Sequence, residues 1–258
     1  MAKKNDYNAN STLARDDASL HKNLPFACIE QYKMLRANLS FTIPDEVKCP
    51  VVGITSTDRS EGKSTTAINL AFVLAEQGKK VLLIDGDLRL PSIAKKMNIQ
   101  SKPGLSNMLS YLGNDEIKVY RAHENNKWFI MPSGELPPNP SELLGSKAMG
   151  QLLDVLKQNF DFIIIDLPPA GIVSDALAVA KYLTGIIVVV REEYSKKTAV
   201  DATMRALLLS NVKILGFVTT AARKNTAGKV YKSTGSYGAA HETYGAYYSI
   251  ARPKENDD

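Results

Sequence analysis

One stretch of this sequence reads Thr57-Asp58-Arg59-Ser60-Glu61-Gly62-Lys63-Ser64-Thr65, and it decides the fold. An apolar run, Val51-Val52-Gly53-Ile54, precedes it, and a helical pattern follows from Thr66 to Gln77. A strand, a loop that ends in Gly-Lys-Ser and a helix form the context that a phosphate-binding loop requires. In such a loop the backbone N–H groups and the helix N-terminus surround phosphate oxygens. The stretch therefore predicts a binding site for a nucleoside triphosphate.

Within this loop, Lys63 is predicted to reach the outer phosphates and Ser64 to bind Mg²⁺ through its hydroxyl. The predicted nucleotide-binding residues are Asp58, Arg59, Ser60, Glu61, Gly62, Lys63, Ser64 and Thr65. The motif is imperfect because Thr57 stands where a glycine is usual, so a solvated surface loop is the alternative from this motif alone. Ser60 carries a Cβ at a position where a left-handed backbone is expected.

Six short apolar runs predict strands, and helical patterns lie between them. The runs are Val51–Thr55, Val81–Asp85, Trp128–Pro132, Phe162–Asp166, Ile186–Val190 and Ile214–Val218. The predicted helices cover 63–77, 91–97, 104–112, 141–159, 174–182 and 196–210, and helical spacing also runs from Ile29 to Leu39. Continuous apolar runs are typical of parallel strands that are buried on both faces. The alternation predicts a doubly wound, mostly parallel α/β sheet flanked by helices, with ligands at the carboxyl ends of the strands.

The composition is that of a globular domain with flanking segments. The chain has 258 residues, of which 44% are hydrophobic and 23% charged. We expect a flexible N-terminal segment over 1–24, a domain over 25–223 and a flexible tail over 224–258, because both ends are polar and aperiodic. No apolar run approaches the ~20 residues that span a bilayer, and the N-terminus lacks a signal-peptide core. The two cysteines, Cys28 and Cys49, form no metal pattern and favour a reducing cytoplasm.

The net charge of +5 is a mild excess of basic residues. It would suit an anionic membrane surface, nucleic acid or an acidic partner, but the charge is spread out and forms no long basic run. We therefore expect no nucleic-acid binding, and a role at a membrane would require a separate partner protein.

Two further motifs place carboxylates at the ends of predicted buried strands. Asp85 and Asp87 lie two residues apart, so their side chains point the same way on an extended chain. Asp166 ends another strand and is followed by two prolines. Beside a triphosphate such acids can hold Mg²⁺, directly or through water, or accept a proton. The candidate metal ligands are Ser64, Asp85, Asp87 and Asp166, and the alternative for the first pair is an Asp-Gly turn with a surface ion pair.

The C-terminal segment is unusually rich in tyrosine. Five of the 11 tyrosines lie there, namely Tyr231, Tyr237, Tyr244, Tyr247 and Tyr248. Their neighbours are small residues, which cannot build a core around the aromatic rings. Exposed phenols are suited to enter an active site as phosphoryl acceptors, but a low-complexity tail or a peptide that docks on a partner stays an equal alternative.

Together these motifs resemble the bacterial tyrosine kinases of capsule and exopolysaccharide systems over roughly residues 28–250. That family carries a phosphate loop, an Asp-x-Asp motif and a strand-end aspartate before a C-terminal tyrosine cluster. The stretch Gly134-Glu135-Leu136-Pro137-Pro138-Asn139-Pro140-Ser141-Glu142-Leu143-Leu144 resembles the family's linker, although a proline turn that caps a helix through Ser141 is physically sufficient. Glu30, Lys33 and Arg36 resemble its Glu-x-x-Arg-x-x-Arg oligomer-interface motif, with Lys33 in place of the first arginine.

The resemblance implies an ATP- and Mg²⁺-dependent protein-tyrosine autokinase that phosphorylates its own tail and regulates polysaccharide synthesis or export. Its catalytic residues would be Lys63, Asp85 and Asp87, with Asp85 the first choice for the base and Asp87 the second. The implied partners are other copies of the chain in a ring, a transmembrane activator of the polysaccharide co-polymerase type at the inner face of the cell membrane, and a cognate tyrosine phosphatase.

Two rival functions stay open from the sequence. One is an ATP-driven dimerisation switch that resembles the partitioning and septum-positioning ATPases, and the other is an adaptor whose tail is phosphorylated by another enzyme. The partitioning and septum-positioning ATPases carry a lysine at the position of Asp58. The absence of that lysine here argues against the dimerisation switch.

Overall fold

The centre of the fold is one sheet in the computed structural model of the chain, which describes residues 9–10, 24–110, 117–122 and 127–222. The strands are β1 (Ala9–Asn10), β2 (Val51–Ser56), β3 (Val81–Asp85), β4 (Val119–Arg121), β5 (Trp128–Met131), β6 (Phe162–Asp166), β7 (Gly185–Arg191) and β8 (Ile214–Thr220). Their order in the sheet is β1-β4-β5-β3-β6-β2-β7-β8. Every pairing is parallel except that of β4 with β5.

Helices cover both faces of this sheet. They are α1 (Phe26–Thr42), α2 (Lys63–Ala75), α3 (Ile93–Lys96), α4 (Leu105–Ser110), α5 (Pro140–Gly145), α6 (Lys147–Lys157), α7 (Asp175–Val179) and α8 (Lys197–Leu209), with a 3-10 helix at Ala180–Tyr182. Successive residues of β3 enter opposite layers, so that Leu82 packs in the cluster that contains Leu153 of α6. Leu83 packs in the cluster that contains Ile68 of α2. Burial on both faces explains the continuous apolar runs, and the predicted doubly wound α/β fold is confirmed.

The main differences from the predicted elements are one divided helix and two missed strands, of which β1 lies within residues 1–24, where no strand was predicted. The helix predicted over 141–159 is two helices, because Ser146 is extended (φ −70°, ψ 159°) and its hydroxyl accepts a hydrogen bond from the N–H of Met149 to begin α6. The strand β4 was missed, since three residues are too few to show a period. It pairs antiparallel with β5 at Tyr120 and Arg121.

The described chain divides after Thr220, since residues up to Thr220 belong to one compact unit and only Ala221 and Ala222 are described in the other. The five tail tyrosines at positions 231, 237, 244, 247 and 248 lie outside the described residues. The domain boundaries expected at 24/25 and 223/224 stay predictions. Within the described ranges, no helix is both long and apolar enough to cross a membrane.

Candidate active site

The loop between β2 and α2 has a backbone that only certain residues tolerate. Gly62 precedes α2 with φ of +95°, and a Cβ at this position would lie 3.0 Å from Cγ2 of Thr220. Ser60 also adopts a left-handed conformation, with φ of +59°, as its position in the motif predicted. This conformation costs a serine more than a glycine, so other contacts must hold the loop in place.

Glu61 supplies the first of these contacts, because its side chain is fully buried within the loop. Its Oε2 accepts hydrogen bonds from the N–H groups of Thr57 (2.8 Å) and Asp58 (3.0 Å). Its Oε1 accepts a hydrogen bond from the hydroxyl of Ser195, which follows β7. The Glu61 carboxylate therefore shapes the loop from inside, in addition to the nucleotide contact that the motif predicts for this residue.

The ends of β7 and β8 brace the same loop. The hydroxyl of Thr220 donates to the carbonyl of Glu61 at 2.7 Å, and the guanidinium of Arg191 donates to the carbonyl of Ser60 at 3.1 Å. Sequence reasoning missed Ser195, Thr220 and Arg191. No local pattern marks them, since they reach the loop only through the order of strands in the sheet.

Lys63 meets two of the predicted acids. Its Nζ lies 2.8 Å from Oδ2 of Asp87 and 3.8 Å from Oδ1 of Asp166. Asp85 and Asp166 are register partners on β3 and β6, so all four side chains come together at one edge of the sheet. Burial lowers the pKa of Lys63, but the charges of Asp166 and Asp87 more than offset this and raise the pKa above its ordinary value. The lysine therefore stays positively charged at neutral pH.

Asp85 is fully buried, and its carboxylate accepts hydrogen bonds from three backbone N–H groups. Oδ2 accepts from Ser92 (3.2 Å) and Ile93 (3.0 Å), and Oδ1 accepts from Asp87 (3.3 Å). Burial, and then repulsion by Asp166, raises the pKa of Asp85 to about 7. This carboxyl group holds the start of α3 against the site and titrates near neutral pH.

The raised pKa of Asp85 predicts a pH dependence of stability. The folded chain binds this proton more tightly than the unfolded chain, so the contribution to the free energy of unfolding is complete below about pH 4 and is lost as the pH rises to about 7. Asp85→Asn cannot ionise, so we expect its free energy of unfolding to fall less steeply than that of the wild type over this range. Urea unfolding without nucleotide measures the slope.

Asp154→Asn is the matched control for this experiment, because the Asp154 side chain is 75% exposed. It should follow the wild-type slope. Parallel wild-type and Asp85→Asn curves would contradict the raised pKa.

Asp166 is the residue whose surroundings best fit a metal ion. Both of its oxygens are buried and accept no hydrogen bond from the described residues, although Oδ1 lies 3.8 Å from the Nζ of Lys63. Burial raises the pKa of Asp166, and the charge of Lys63 followed by the Ser64 hydroxyl opposes this rise. Because a buried carboxylate that accepts no hydrogen bond is costly, these oxygens fit a metal ion or its bound water. Across the described ranges no three His, Cys, Asp or Glu side chains form a ready metal cage, so Mg²⁺ would also need water and phosphate oxygens.

An open cleft of about 450 Å³ lies over the loop. It is lined by Arg59, Ser60, Gly62, Lys63, Ser64, Thr65, Asp87, Arg89, Leu90, Ser92, Lys96, Pro168, Pro169, Ile172 and Val173. Six of the eight predicted nucleotide-binding residues are thus at the cleft, and Asp58 and Glu61 are not. Of the three acids only Asp87 lines it.

Arg89 joins the Asp87 loop to the linker stretch. Its guanidinium donates to both oxygens of buried Asp175, with Nε–Oδ2 at 2.8 Å and Nη2–Oδ1 at 2.9 Å. The Ser141 hydroxyl also donates to Asp175. The interpretation of Ser141 as a helix cap is wrong, because α5 begins at Pro140 with Asn139 as its N-cap and no side-chain cap. Ser141 instead completes the polar contacts of a buried carboxylate.

The three residues of the oligomer-interface motif lie on α1. Lys33 pairs with Glu30 at 2.8 Å, and Arg36 donates to the carbonyl of Val73 near the end of α2. These contacts are all within the chain. The role of Glu30, Lys33 and Arg36 between subunits stays a prediction.

Comparison with known proteins identifies the family. A family model described as an AAA domain matches residues 51–213. The tyrosine-protein kinase YwqD of Bacillus subtilis (strain 168) is 38% identical over 189 residues, which are 73% of this chain and 79% of YwqD. The chain belongs to the family of bacterial tyrosine kinases. The predicted resemblance is thereby confirmed.

Two further relatives of this bacterial tyrosine kinase add to the comparison. The crystal structure of the chimerical protein CapA2B2 matches with a TM-score of 0.73 and 32% identity, over 82% of this chain and 93% of CapA2B2. The tyrosine-protein kinase ptk of Acinetobacter johnsonii is 30% identical over 208 residues, which are 80% of this chain but 28% of ptk. In ptk the matched part therefore belongs to a much longer protein.

Proposed function

We propose that this bacterial tyrosine kinase transfers the γ-phosphoryl group of ATP to tyrosines of its own C-terminal segment. The observation that carries the proposal is the position of Lys63. Its ammonium lies between Asp87 and Asp166 at an open cleft over a phosphate-binding loop. This combination of a loop, a lysine and strand-end acids suits phosphoryl transfer, in which positioning and electrostatics supply most of the acceleration.

Different residues of the site would bind the phosphates and Mg²⁺. Backbone N–H groups between Arg59 and Thr65 bind phosphate oxygens, and Lys63 neutralises charge on the outer phosphates. Ser64, with Asp166 and Asp85, would hold Mg²⁺, directly or through water, and Asp87 would be a ligand only if it is not the proton acceptor. When bound, this ion would neutralise charge on the β- and γ-phosphates. The hydrogen bonds made by Glu61 and Thr220 hold the conformation of the loop before the nucleotide binds.

The acceptor needs a base, because the reference pKa of a phenol is about 10. The tyrosine oxygen attacks the γ-phosphorus in line, the bond to the oxygen of the departing ADP breaks, and the phenolic proton passes to a carboxylate. We propose Asp87 for this role in place of Asp85, the first choice from the sequence. Asp87 lines the cleft, where its oxygens accept hydrogen bonds from Lys63 and from the N–H of Leu90. Asp85 does not line the cleft, and its oxygens accept three backbone hydrogen bonds.

The biological setting is also a proposal. The resemblance supports a cytoplasmic chain that forms a ring through Glu30, Lys33 and Arg36 and regulates capsular or exopolysaccharide synthesis. A transmembrane activator of the co-polymerase type would hold it at the inner face of the membrane, and a cognate phosphatase would reverse the modification. The longer relative ptk supports an additional component, because there the matched part is joined to further sequence.

Incubation with ATP and Mg²⁺, followed by mass analysis of the tail, tests the proposed activity. The full chain is compared with and without a fused cytoplasmic segment of its activator. We expect phosphotyrosine at one or more of Tyr231, Tyr237, Tyr244, Tyr247 and Tyr248. ATP binding without phosphotyrosine at all five positions, even with the activator segment fused, would favour the dimerisation switch.

A further inference from the structure

Lys96 is a second lysine at the cleft, and the phosphate-loop motif does not account for it. It follows Ser92 by four residues, and both side chains line the cleft. Residues four apart share one side of a helical turn. Lys95, the neighbouring residue of α3, is exposed and does not line the cleft. The helix therefore directs one lysine of this pair to the cleft and the other to solvent.

The side chain of Lys96 is not committed to another ion pair. Within the described part of the chain, no carboxylate forms an ion pair with its ammonium. Arg89, by contrast, also lines the cleft but is held by both oxygens of Asp175. Lys96 is half-buried, so a charge-assisted contact with a ligand would be stronger than one at a fully exposed lysine.

The charge of the site calls for another cation. The Lys63 ammonium pairs with the carboxylates of Asp87 and Asp166, so two acids face one ammonium and this group, when ionised, carries an excess of one negative charge. A triphosphate that approached this group alone would be repelled. A Mg²⁺ ion would balance the acids but would leave the charge of the triphosphate largely uncompensated. A lysine on the cleft wall provides part of the remaining balance.

The position of Lys96 along the cleft points to the outer phosphates. Asp85 holds the N–H groups of Ser92 and Ile93, which fixes α3 beside the acids. Lys96, Lys63 and Asp87 line the same cleft, and the lysine of a phosphate loop contacts the β- and γ-phosphates.

We propose that Lys96 is a second phosphate-binding lysine, which contacts the γ-phosphate of ATP beside Lys63. The inference rests on the proposed binding of a nucleoside triphosphate, but it does not require that the phosphoryl acceptor is the chain's own tail. It assigns to α3 a role in distinguishing ATP from ADP, because only ATP carries the phosphate that Lys96 would contact.

Nucleotide binding by Lys96→Met and Lys95→Met tests this inference. Dissociation constants of Mg²⁺–ATP and Mg²⁺–ADP are measured by titration calorimetry on the full chain. We expect Lys96→Met to raise the dissociation constant for ATP by about tenfold and that for ADP by less than about threefold. Lys95→Met should bind both nucleotides as the wild type does, and Lys96→Arg should restore much of the lost ATP affinity.

Two outcomes would overturn the proposal. One is equal affinity of Lys96→Met and Lys95→Met for ATP, and the other is equal weakening of ATP and ADP by Lys96→Met. Thermal midpoints of the variants exclude misfolding, and Lys96→Gln replaces Lys96→Met if the latter does not fold. The autokinase proposal has a separate test. It fails if the wild-type chain binds ATP more tightly than Lys96→Met does but forms no phosphotyrosine.

Discussion

Tyrosine phosphorylation by Lys63→Met is expected to fall by at least about 100-fold relative to the wild-type chain. Methionine keeps the length and the apolar stem of the side chain but removes the ammonium that lies 2.8 Å from Asp87 and 3.8 Å from Asp166. The acids then face the phosphates without a compensating charge. Because the lost contact strengthens as charge develops on the transferred group, the reduction should appear in kcat.

Lys79→Met is the matched control for this variant. Lys79 is exposed and does not line the cleft, so its replacement should leave phosphorylation unchanged. Phosphorylation is followed as phosphotyrosine formed per chain with time in purified protein. If phosphotyrosine forms in the Lys63→Met tail at the wild-type rate, the autokinase proposal is wrong. That result would support an adaptor that another enzyme phosphorylates.

Asp87→Asn is expected to lower kcat by roughly 10²–10⁴-fold while the dissociation constant for ATP changes much less. The amide keeps the shape of the carboxylate and can still accept the hydrogen bond from Lys63. It cannot take up the proton of the attacking phenol. The large effect is expected because the variant loses a proton acceptor. Of Asp85, Asp87 and Asp166, Asp87 is the one that lines the cleft.

Asp85→Asn and Asp154→Asn complete this comparison. Asp154 is exposed on α6, and its replacement should not alter kcat. If Asp85→Asn lowers kcat further than Asp87→Asn, the proton acceptor is Asp85, the first choice from the sequence. Single-turnover measurements separate the chemical step from product release, so that each value reports phosphoryl transfer.

Much of the fold could be predicted because its signals are local. The continuous apolar runs of β3 and β6, each ended by an aspartate, predicted both strands with their observed bounds, since burial on both faces favours apolar residues along the strand. The Gly-Lys-Ser motif is also a local signal, and it predicted that α2 begins at Lys63. Elements without a local signal were missed or merged, such as the three-residue β4 and the break at Ser146 between α5 and α6.

The sequence by itself determined the chemistry of the site: a lysine-bearing loop and acids at the ends of two strands. Only the tertiary structure decided which residues surround them. The insertion of β6 between β3 and β2 puts Asp166 beside Asp85, and the neighbouring β7 and β8 bring Ser195 and Thr220 to Glu61. The two contacts of Glu61 join residues more than 100 positions apart. The order of strands and the packing of helices create them, and neither is encoded in the spacing of residues along the chain.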